Sequence, residues 1–407
     1  MLLGLVAVPY LLNRIGVERF GILTLIWALI GYFSIFFFFF GRALTQKVAA
    51  IRGGESRDSI AAATKSGLKL MSITGCVGSA VVLAFFGIGG VEWLGIRGAL
   101  VEETQDAVYI AAIGIPAATM TSGLKGILEG YEKFKAVNIL KLLLGASNFL
   151  IPMAIVQYWG TEFQLIVVGL VASRLIIMLL HILPVIRQVN FHVGHDLSHS
   201  DHIAQHLIKF GAWMTLSNLI SPLMVISDRF VISHFLGGAE VAYYTVPHDF
   251  LLRALVVPAA ITTTAFPVFS HMINSNVGNA VKIYKKCIYS ILGLLALLAL
   301  FVLLFGHWAL ALWLGDAFAD QSYQIATLLA IGVMFNGIAQ VPHAVLQAAG
   351  DVRRTSIIHM GEFILYMPML VVSVKIWGIT GAAIVWMGRA AVDFLMLSWY
   401  ARNKLEA

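Results

Sequence analysis

Long apolar runs alternate with short polar loops along almost the whole chain. An α-helix of about 20 apolar residues is long enough to cross the hydrocarbon core of a membrane. The pattern therefore predicts an all-α polytopic membrane protein with about twelve membrane-spanning helices. The predicted spans cover residues 1–13, 20–41, 66–90, 107–126, 138–158, 163–186, 208–235, 241–268, 286–311, 322–347, 357–375 and 379–400. The first run is short, and we interpret it as the second half of a span.

Composition agrees with a membrane protein and excludes an ordinary soluble domain. Hydrophobic residues make up 59% of the 407 residues and charged residues only 12%, whereas soluble domains carry about 25% charged residues. The net charge of +6 is compatible with nucleic-acid binding. The basic residues, however, lie mostly in short loops between apolar runs, where they act as topology signals.

The basic residues are concentrated on one side of the predicted membrane. The loops after the even-numbered spans contain Arg42, Lys47, Arg52, Arg57, Lys65, Lys125, Lys133, Lys135, Arg187, Lys209, Lys282, Lys285, Lys286, Arg353, Arg354, Arg402 and Lys404. The loops on the other side contain only Arg14, Arg19, Arg97 and Lys375. Loops rich in Lys and Arg face the cytoplasm. The even loops and the C-terminus are therefore predicted to be cytoplasmic.

An internal repeat divides the chain into two halves. Similar residues recur at nearly constant offsets in the pairs Gly16/Gly237, Thr24/Thr245, Glu132/Asp351, Trp159-Gly160/Trp377-Gly378 and Gly169/Gly388. Each half has an even number of spans, so both enter the membrane from the same side as parallel repeats. We predict an N-terminal lobe at 1–186, a cytoplasmic linker at 187–207 and a C-terminal lobe at 208–407.

The predicted linker contains five closely spaced histidines, and the spacings of three and four residues would place several of them on one helical face. The histidines are His192, His195, His199, His202 and His206. Such a face is compatible with a metal site. The favoured interpretation is a polar linker, because no other type of ligand accompanies them. The sequence therefore predicts no metal site and no cofactor.

Ten ionisable side chains lie inside the apolar spans. A charge at the centre of a bilayer costs about 2.5–3.5 kcal/mol on an insertion scale, so the central ones must pair or line a wet cavity. Those near span ends can extend to the interface, as expected for Lys69 and Lys141. The ten residues are Lys69, Lys141, Arg174, Arg229, Arg253, Arg389, Asp228, Asp249, Glu362 and Asp393.

Two couples of opposite charge have a spacing that lets them meet on one helical face. Asp249 and Arg253 are four residues apart, as are Arg389 and Asp393. Each couple is predicted either to neutralise itself and fix helix packing or to serve transport. Packing is favoured for Arg389 and Asp393, and function for Asp249 and Arg253.

Three further positions in the spans are candidates for a role in transport. Asp228 and Arg229 are adjacent, so their side chains point about 100° apart on a helix. One of them is expected to line the transport path while the other faces a neighbouring helix. Glu362 follows His359 by three residues and either accepts protons or caps a local network. Both interpretations of Glu362 stay open.

The cations of the first half have no acid in their own spans. Arg174 lies deep in its span and is a candidate for binding an anionic substrate. Arg42 stands at the inner end of the second span, where it either meets a phosphate group or anchors the helix at the interface.

Several segments resemble Wzx-type oligosaccharide flippases of the multidrug/oligosaccharidyl-lipid/polysaccharide (MOP) superfamily. They are GVERFGILTLIWALIGYFS with GRALTQKVA, SDRFVISHFLGGAEVAYYTVPHDFLLRALVVPAAITTTAFPVFS, and GAAIVWMGRAAVDFLML. The resemblance extends from about Pro9 to Trp399. It implies two six-helix lobes, as in MATE transporters, around a central cleft. It also implies transfer of undecaprenyl-pyrophosphate-linked sugar units across the bacterial inner membrane, alongside polysaccharide polymerase or ligase machinery.

One segment departs from the pattern of this family. Residues 36–40 are five phenylalanines, where similar proteins usually have an acidic residue and glycines. Phenylalanine lacks the backbone freedom of glycine. A hinge or ion-coupling role at this position is therefore not carried over to this chain.

Three classes of function compete for this sequence. A flippase for an anionic lipid-linked sugar requires a cationic path, which the excess of buried cations supports. A MATE-type drug exporter would favour acids to hold cationic compounds. A membrane-embedded polymerase or ligase would need a sizeable outer loop carrying an active site, and the longest outer loop, at about 90–106, is short and lacks a catalytic constellation. The sequence therefore predicts a non-enzymatic flippase that works by alternating access.

The candidate site residues fall into two groups. The cations predicted to line the substrate path are Arg42, Arg174, Arg229, Arg253 and Arg389. The acids predicted to couple transport to a proton or sodium gradient are Asp228, Asp249, Glu362 and Asp393.

Overall fold

A computed structural model describes residues 2–54, 57–189, 223–272 and 277–406, and every regular element in these ranges is helical. The chain divides into two compact units, Met1–Ile226 and Ser227–Ala407. The histidines of the predicted linker lie outside the described residues. The division at 187–207 therefore stays a prediction, and each unit is described by itself.

The first unit is built from seven α-helices and one π-helical turn in the described residues. These elements are α1 (Leu2–Ile15), α2 (Val17–Gly54), α3 (Arg57–Phe85), a π turn (Phe86–Gly90), the short α4 (Val91–Trp93), α5 (Leu100–Gly130), α6 (Phe134–Tyr158) and α7 (Phe163–Gln188). Helix α2 continues well beyond its predicted span. The segment predicted as a cytoplasmic loop after residue 41 is therefore largely helical.

The second unit is also built from helices in the described residues. It contains most of α8 (223–236, as far as described), α9 (Gly238–Leu252), a 3₁₀ turn (Arg253–Leu255), α10 (Val256–Met272), α11 (Val277–Leu314), α12 (Asp316–Ala348) and α13 (Val352–Glu406). The first part of the predicted span 208–235 lies outside the described residues.

Eight described helical segments are long and apolar enough to cross a membrane. The last of them, Arg353–Leu405, has 53 residues. At a rise of 1.5 Å per residue it measures about 80 Å, more than twice a hydrocarbon core of about 30 Å. Its backbone leaves helical geometry at Gly378, where φ is 61°. The segment thus contains the two spans that were predicted at 357–375 and 379–400.

The internal repeat appears in the backbone as glycines with positive φ. Four pairs interrupt the helices at equivalent places: Gly16 (84°) and Gly237 (93°), Gly98 (66°) and Gly315 (90°), Glu132 (59°) and Gly350 (76°), and Gly160 (108°) and Gly378 (61°), where Glu132 is the one non-glycine. Residues with a Cβ rarely adopt these angles. Gly16/Gly237 and Gly160/Gly378 are pairs that the sequence repeat predicted.

One helix forms the centre of each unit. Helix α5 packs against α2, α3 and α7, and α12 packs against α9, α10, α11 and α13. A Cβ on Gly126 of α5 would clash with the Gly41 carbonyl oxygen of α2. Small residues permit such close approach of membrane helices. The two central helices are related by the same repeat.

Exposed apolar side chains show which surface faces lipid. Along α11, Leu297, Phe301, Leu304, Trp308 and Leu312 are exposed at spacings of three and four residues. This spacing forms one stripe of the helix. An apolar stripe of this length is favourable in contact with lipid and unfavourable in contact with water. The chain is an all-α polytopic membrane protein, as predicted.

A proline explains why the predicted span 241–268 is divided. Pro258 follows Ala254 by four residues and has no N–H to donate to the Ala254 carbonyl group. The backbone forms a 3₁₀ turn at Arg253–Leu255 between α9 and α10. A 3₁₀ turn advances by about 120° per residue instead of 100°. Side chains after Leu252 therefore point elsewhere than in a continuous α-helix.

Candidate functional site

Asp228 is the most completely enclosed acid of the second unit. Its side chain, on α8, has no exposed surface. The Tyr244 hydroxyl of α9 donates to its Oδ2 at 2.6 Å, and the Tyr366 hydroxyl of α13 donates to its Oδ1. Two hydroxyl donors compensate in part for the loss of water around a buried carboxylate. Asp228 thereby joins three helices.

Arg229, the residue after Asp228 in α8, takes part in an ion pair with α9. Its guanidinium Nη2 donates to Asp249 Oδ1, across from α8 to α9. The Arg229 side chain is 10% exposed and the Asp249 side chain 43%. The Arg229 Nε is buried and has no hydrogen-bond partner in the described residues. The pair therefore connects a buried cation to a partly open carboxylate.

Arg389 of α13 lies among aromatic rings and one carboxylate. Its guanidinium carbon is 5.7 Å from the Tyr366 ring centre and 5.8 Å from that of Trp386. Its Nη1 is 3.9 Å from Glu362 Oε2, and both side chains are buried. Cation–π contacts become stronger when water is excluded. Arg389 thus lies between Glu362 and Tyr366, and Tyr366 in turn donates a hydrogen bond to Asp228.

His248 fills the space between the aromatic residues. It has no exposed surface, and its ring lies 5.4 Å from the Tyr244 ring and edge-on to Trp386 at 4.9 Å. Neither ring nitrogen has a hydrogen-bond partner in the described residues. An uncharged ring is the form that such an apolar setting favours.

Glu362 and Asp393 form a buried acid cluster with His359. One donor atom from each of the three residues lies within 4.8 Å of the others. His359 Nε2 is 3.4 Å from Asp393 Oδ1, and the His343 ring of α12 stacks on His359 at 5.7 Å. Both carboxylate oxygens of Glu362 and Oδ1 of Asp393 have no hydrogen-bond partner in the described residues. These oxygens are acceptors to which a proton would supply the missing donor.

The acid cluster is the group of described residues whose geometry suits a metal ion. Imidazole and carboxylate ligands fit zinc and related divalent ions. The Arg389 guanidinium, 3.9 Å from Glu362, places a positive charge beside the same oxygens. That charge opposes a divalent cation more strongly than it opposes a proton shared between two acids. The arrangement is therefore less suited to a divalent cation than to a proton.

In each predicted i,i+4 couple, the acid contacts a residue outside the couple. Asp249 pairs with Arg229, while Arg253 is exposed on the 3₁₀ turn. Arg389 pairs with Glu362, and Asp393 lies beside His359. The break at Gly378 brings the two parts of α13 together, so residues 359–366 offer partners to residues 386–393 across the helices.

The other predicted site residues have separate positions. Arg174 is buried in the first unit, whereas the predicted acids belong to the second. Arg42 lies in α2, but its side chain is outside the described part of the structure. Lys69 and Lys141 are exposed.

Two residues that contact Asp228 were not singled out from the sequence. Tyr244 and Tyr366 provide the donors to Asp228. Tyr366 follows Glu362 by four residues, so it lies on the same helical face. The signal available in the sequence was a tyrosine on the same helical face as the acid Glu362.

The matches to known families and proteins agree with this architecture. A family model described as polysaccharide biosynthesis protein matches residues 1–273. The chain belongs to the polysaccharide biosynthesis protein family. A second model, MatE, matches residues 214–372. The predicted resemblance to Wzx-type members of the MOP superfamily is confirmed.

A relative of this polysaccharide biosynthesis protein is a transporter by name. This Shigella flexneri protein, named as a candidate O-antigen transporter, is 33% identical over 408 residues, which cover 97% of this chain and 93% of that protein. Its name is that of a transporter and not of an enzyme, in agreement with the prediction.

Solved structures share the fold of this family member. An inward-facing multidrug resistance MATE family transporter has a TM-score of 0.85 at 15% identity, covering 99% of this chain and 94% of that one. The lipid II flippase MurJ, in an inward closed conformation, has a TM-score of 0.76 at 14% identity, covering 99% and 87%. At such identities the likeness shows the fold alone.

Proposed function

We propose that this protein is a flippase that transfers undecaprenyl-pyrophosphate-linked oligosaccharides across the bacterial inner membrane for surface polysaccharide synthesis. The observation that carries the proposal is the 33% identity to the candidate O-antigen transporter over 97% of the chain. The C-terminus would lie in the cytoplasm, as the basic loops predict. Released units would pass to a polysaccharide polymerase or ligase.

The proposed mechanism is alternating access by rocking of the two halves around the substrate. The sugar and pyrophosphate would cross along a cationic path while the polyprenyl chain stays in lipid. In the second half, Arg229 pairs with the partly exposed Asp249, and Arg389 lies 3.9 Å from the buried Glu362. Arg42, Arg174 and Arg253 would contribute along the path from other helices.

The acid cluster is the proposed site of proton coupling. Asp228 already accepts hydrogen bonds from two tyrosine hydroxyl groups, and Asp249 forms an ion pair with Arg229. Glu362 and Asp393 instead have buried oxygens without donors in the described residues. A proton entering through His359 would join the two carboxylates and weaken the hold of Glu362 on Arg389. Release of Arg389 would couple protonation to the substrate path.

Complementation tests the proposed substrate class. A strain that lacks its own O-antigen flippase should regain surface polysaccharide when it expresses this chain. The accumulated lipid-linked intermediate should disappear from its cytoplasmic leaflet. Full membrane expression without restoration, across strains with different repeat units, contradicts the proposal.

Coupling is tested with purified protein in proteoliposomes. An imposed proton gradient should drive flipping in the wild type, and Glu362→Gln should abolish that dependence because glutamine cannot release a proton. Asp320→Asn is the matched control, since this acid of the same unit is exposed and bonded to His307. Flipping that is driven by a sodium gradient alone would contradict proton coupling at this cluster. So would a Glu362→Gln variant that responds to the proton gradient as the wild type does.

A MATE-type exporter is the second candidate, supported by the MatE model match at residues 214–372. Exporters of cationic drugs need an acidic binding surface, whereas Arg229 and Arg389 accompany the acids here. Efflux of a cationic dye from an exporter-deficient strain, without restoration of polysaccharide, would favour this alternative.

A further inference from the structure

We propose that a pocket inside the first unit binds a phosphate group. The pocket lies between α5, α6 and α7 and has a volume of about 160 Å³. The polar side chains used in the argument are Thr121, Ser122, Lys125, Lys141, Arg174 and His181. Apolar residues of the three helices complete its wall.

The burial of Arg174 is the main argument that the pocket binds an anion. It is 9% exposed, and its Nε is buried and has no hydrogen-bond partner in the described residues. None of the described side chains that line the pocket is acidic. A buried cation without a partner is costly, and an anion that binds the guanidinium removes that cost. The buried Nε of Arg174 is therefore a donor that the side chains of the pocket wall do not satisfy.

Two lysines add positive charge to the pocket, and a histidine completes its polar wall. Lys141, predicted to extend to the interface, lines the pocket from α6. Lys125 lies 3.4 Å from Glu129, four residues further along α5, so that its charge is partly balanced. His181 Nδ1 donates to the Ile177 carbonyl oxygen at 2.8 Å, which fixes the orientation of the ring. The pocket thus combines charges from three helices.

The side chains of the pocket select the class of ligand. Its volume of about 160 Å³ leaves room for a phosphate or pyrophosphate group. Guanidinium and ammonium groups are the usual partners of phosphate oxygens. The source is either the pyrophosphate of the carried lipid or the phosphate of a membrane lipid headgroup. The first case rests on the proposed function.

Binding of inorganic pyrophosphate to the purified full-length protein tests the pocket directly. Calorimetric titration in a detergent with an uncharged headgroup should show saturable binding at constant ionic strength. Arg174→Gln should weaken binding roughly 10- to 100-fold, the loss expected for a hydrogen bond between charged groups. Lys69→Gln is the matched control, because Lys69 is an exposed lysine of α3 outside the pocket.

Two further variants keep the test decisive if Arg174→Gln does not fold. Arg174→Lys should recover part of the affinity, because it keeps the charge. Lys141→Gln alters an exposed side chain and should weaken binding without lowering the unfolding temperature. Equal pyrophosphate affinity in the wild type, Arg174→Gln and Lys141→Gln, or no saturable binding, overturns the proposal.

Lipid nanodiscs separate the two sources. Undecaprenyl pyrophosphate that displaces inorganic pyrophosphate, in discs of phosphatidylcholine alone, indicates a substrate site. Displacement by added phosphatidylglycerol indicates a headgroup site. Displacement by neither overturns the proposal. Pyrophosphate binding together with failed complementation would refute the flippase and leave the phosphate pocket in place.

Discussion

The hydroxyl group of Tyr366 donates a hydrogen bond to Oδ1 of Asp228, although the two residues are 138 positions apart in the chain. Tyr244 donates to the other oxygen of the same carboxylate. This arrangement connects α8, α9 and α13 through one buried acid. Any motion that separates these helices must break a hydrogen bond to that acid.

Tyr366→Phe is expected to destabilise the second unit by about 1.5–3 kcal/mol, the range for hydrogen bonds to charged groups. The cause is the lost donor to a carboxylate that water does not reach. Thermal or denaturant unfolding in micelles measures the change. In an Asp228→Asn background the same substitution should cost less, because the acceptor is neutral.

Tyr289→Phe is the control for this cycle, since Tyr289 is 67% exposed on α11. Its effect on unfolding should be small. Identical losses for Tyr366→Phe in both backgrounds would contradict a specific interaction between Tyr366 and Asp228.

The partner of Asp249 can be tested with two substitutions. Asp249→Asn removes the carboxylate from Arg229, whose side chain is 10% exposed, and should cost about 1–3 kcal/mol of stability. Arg253→Gln should have little effect on stability, because Arg253 is exposed and does not meet Asp249. Denaturant unfolding of both variants gives the comparison. An equal loss in Arg253→Gln would restore the i,i+4 couple.

Gly332 on α12 is expected to reject any side chain. A Cβ there would clash with the Trp386 ring, and Trp386 contacts both His248 and Arg389. Gly332→Ala should cost about 1–3 kcal/mol through overpacking. Complementation should fall as well, since the aromatic support of Arg389 shifts.

Gly293→Ala on α11 is the matched control, because no atom lies within 4 Å of its added Cβ. Alanine in a helix should stabilise this site by about 0.5–1 kcal/mol relative to glycine. Loss of stability and complementation in Gly332→Ala alone supports close packing at Trp386. Similar losses in both variants would contradict it.

The repeated glycines at the helix breaks should resist substitution. Gly16 and Gly237 have φ of 84° and 93°. Alanine at either position should cost about 1–3 kcal/mol, because a residue with a Cβ is strained at a positive φ. Gly31→Ala is the control within α2, where the backbone is helical and no atom lies within 4 Å. Unfolding temperatures that fall equally in all three variants would exclude backbone strain as the cause.

Helical spans were predictable because hydrophobic length depends on consecutive residues. The apolar runs predicted positions for the spans that the described helices largely match, and Gly16 and Gly237 marked equivalent breaks. The division of the predicted span 241–268 lies beside Pro258, whose missing N–H can be read from the sequence and acts on the turn before it. The roles of the Arg42 side chain and of the histidines in the predicted linker stay predictions.

The sequence by itself determined the class of the protein, its repeat and the residues that bring charge into the membrane. Only the tertiary structure decided which charges meet: Asp249 with Arg229, and Glu362 with Arg389. The physical reason is that spacing along one helix limits which side chains share a face. Which partner reaches that face depends on the rotation and packing of other helices. Those helices can come from parts of the chain more than 100 positions away. Tyr366 meets Asp228 in this way, and no local pattern contains that contact.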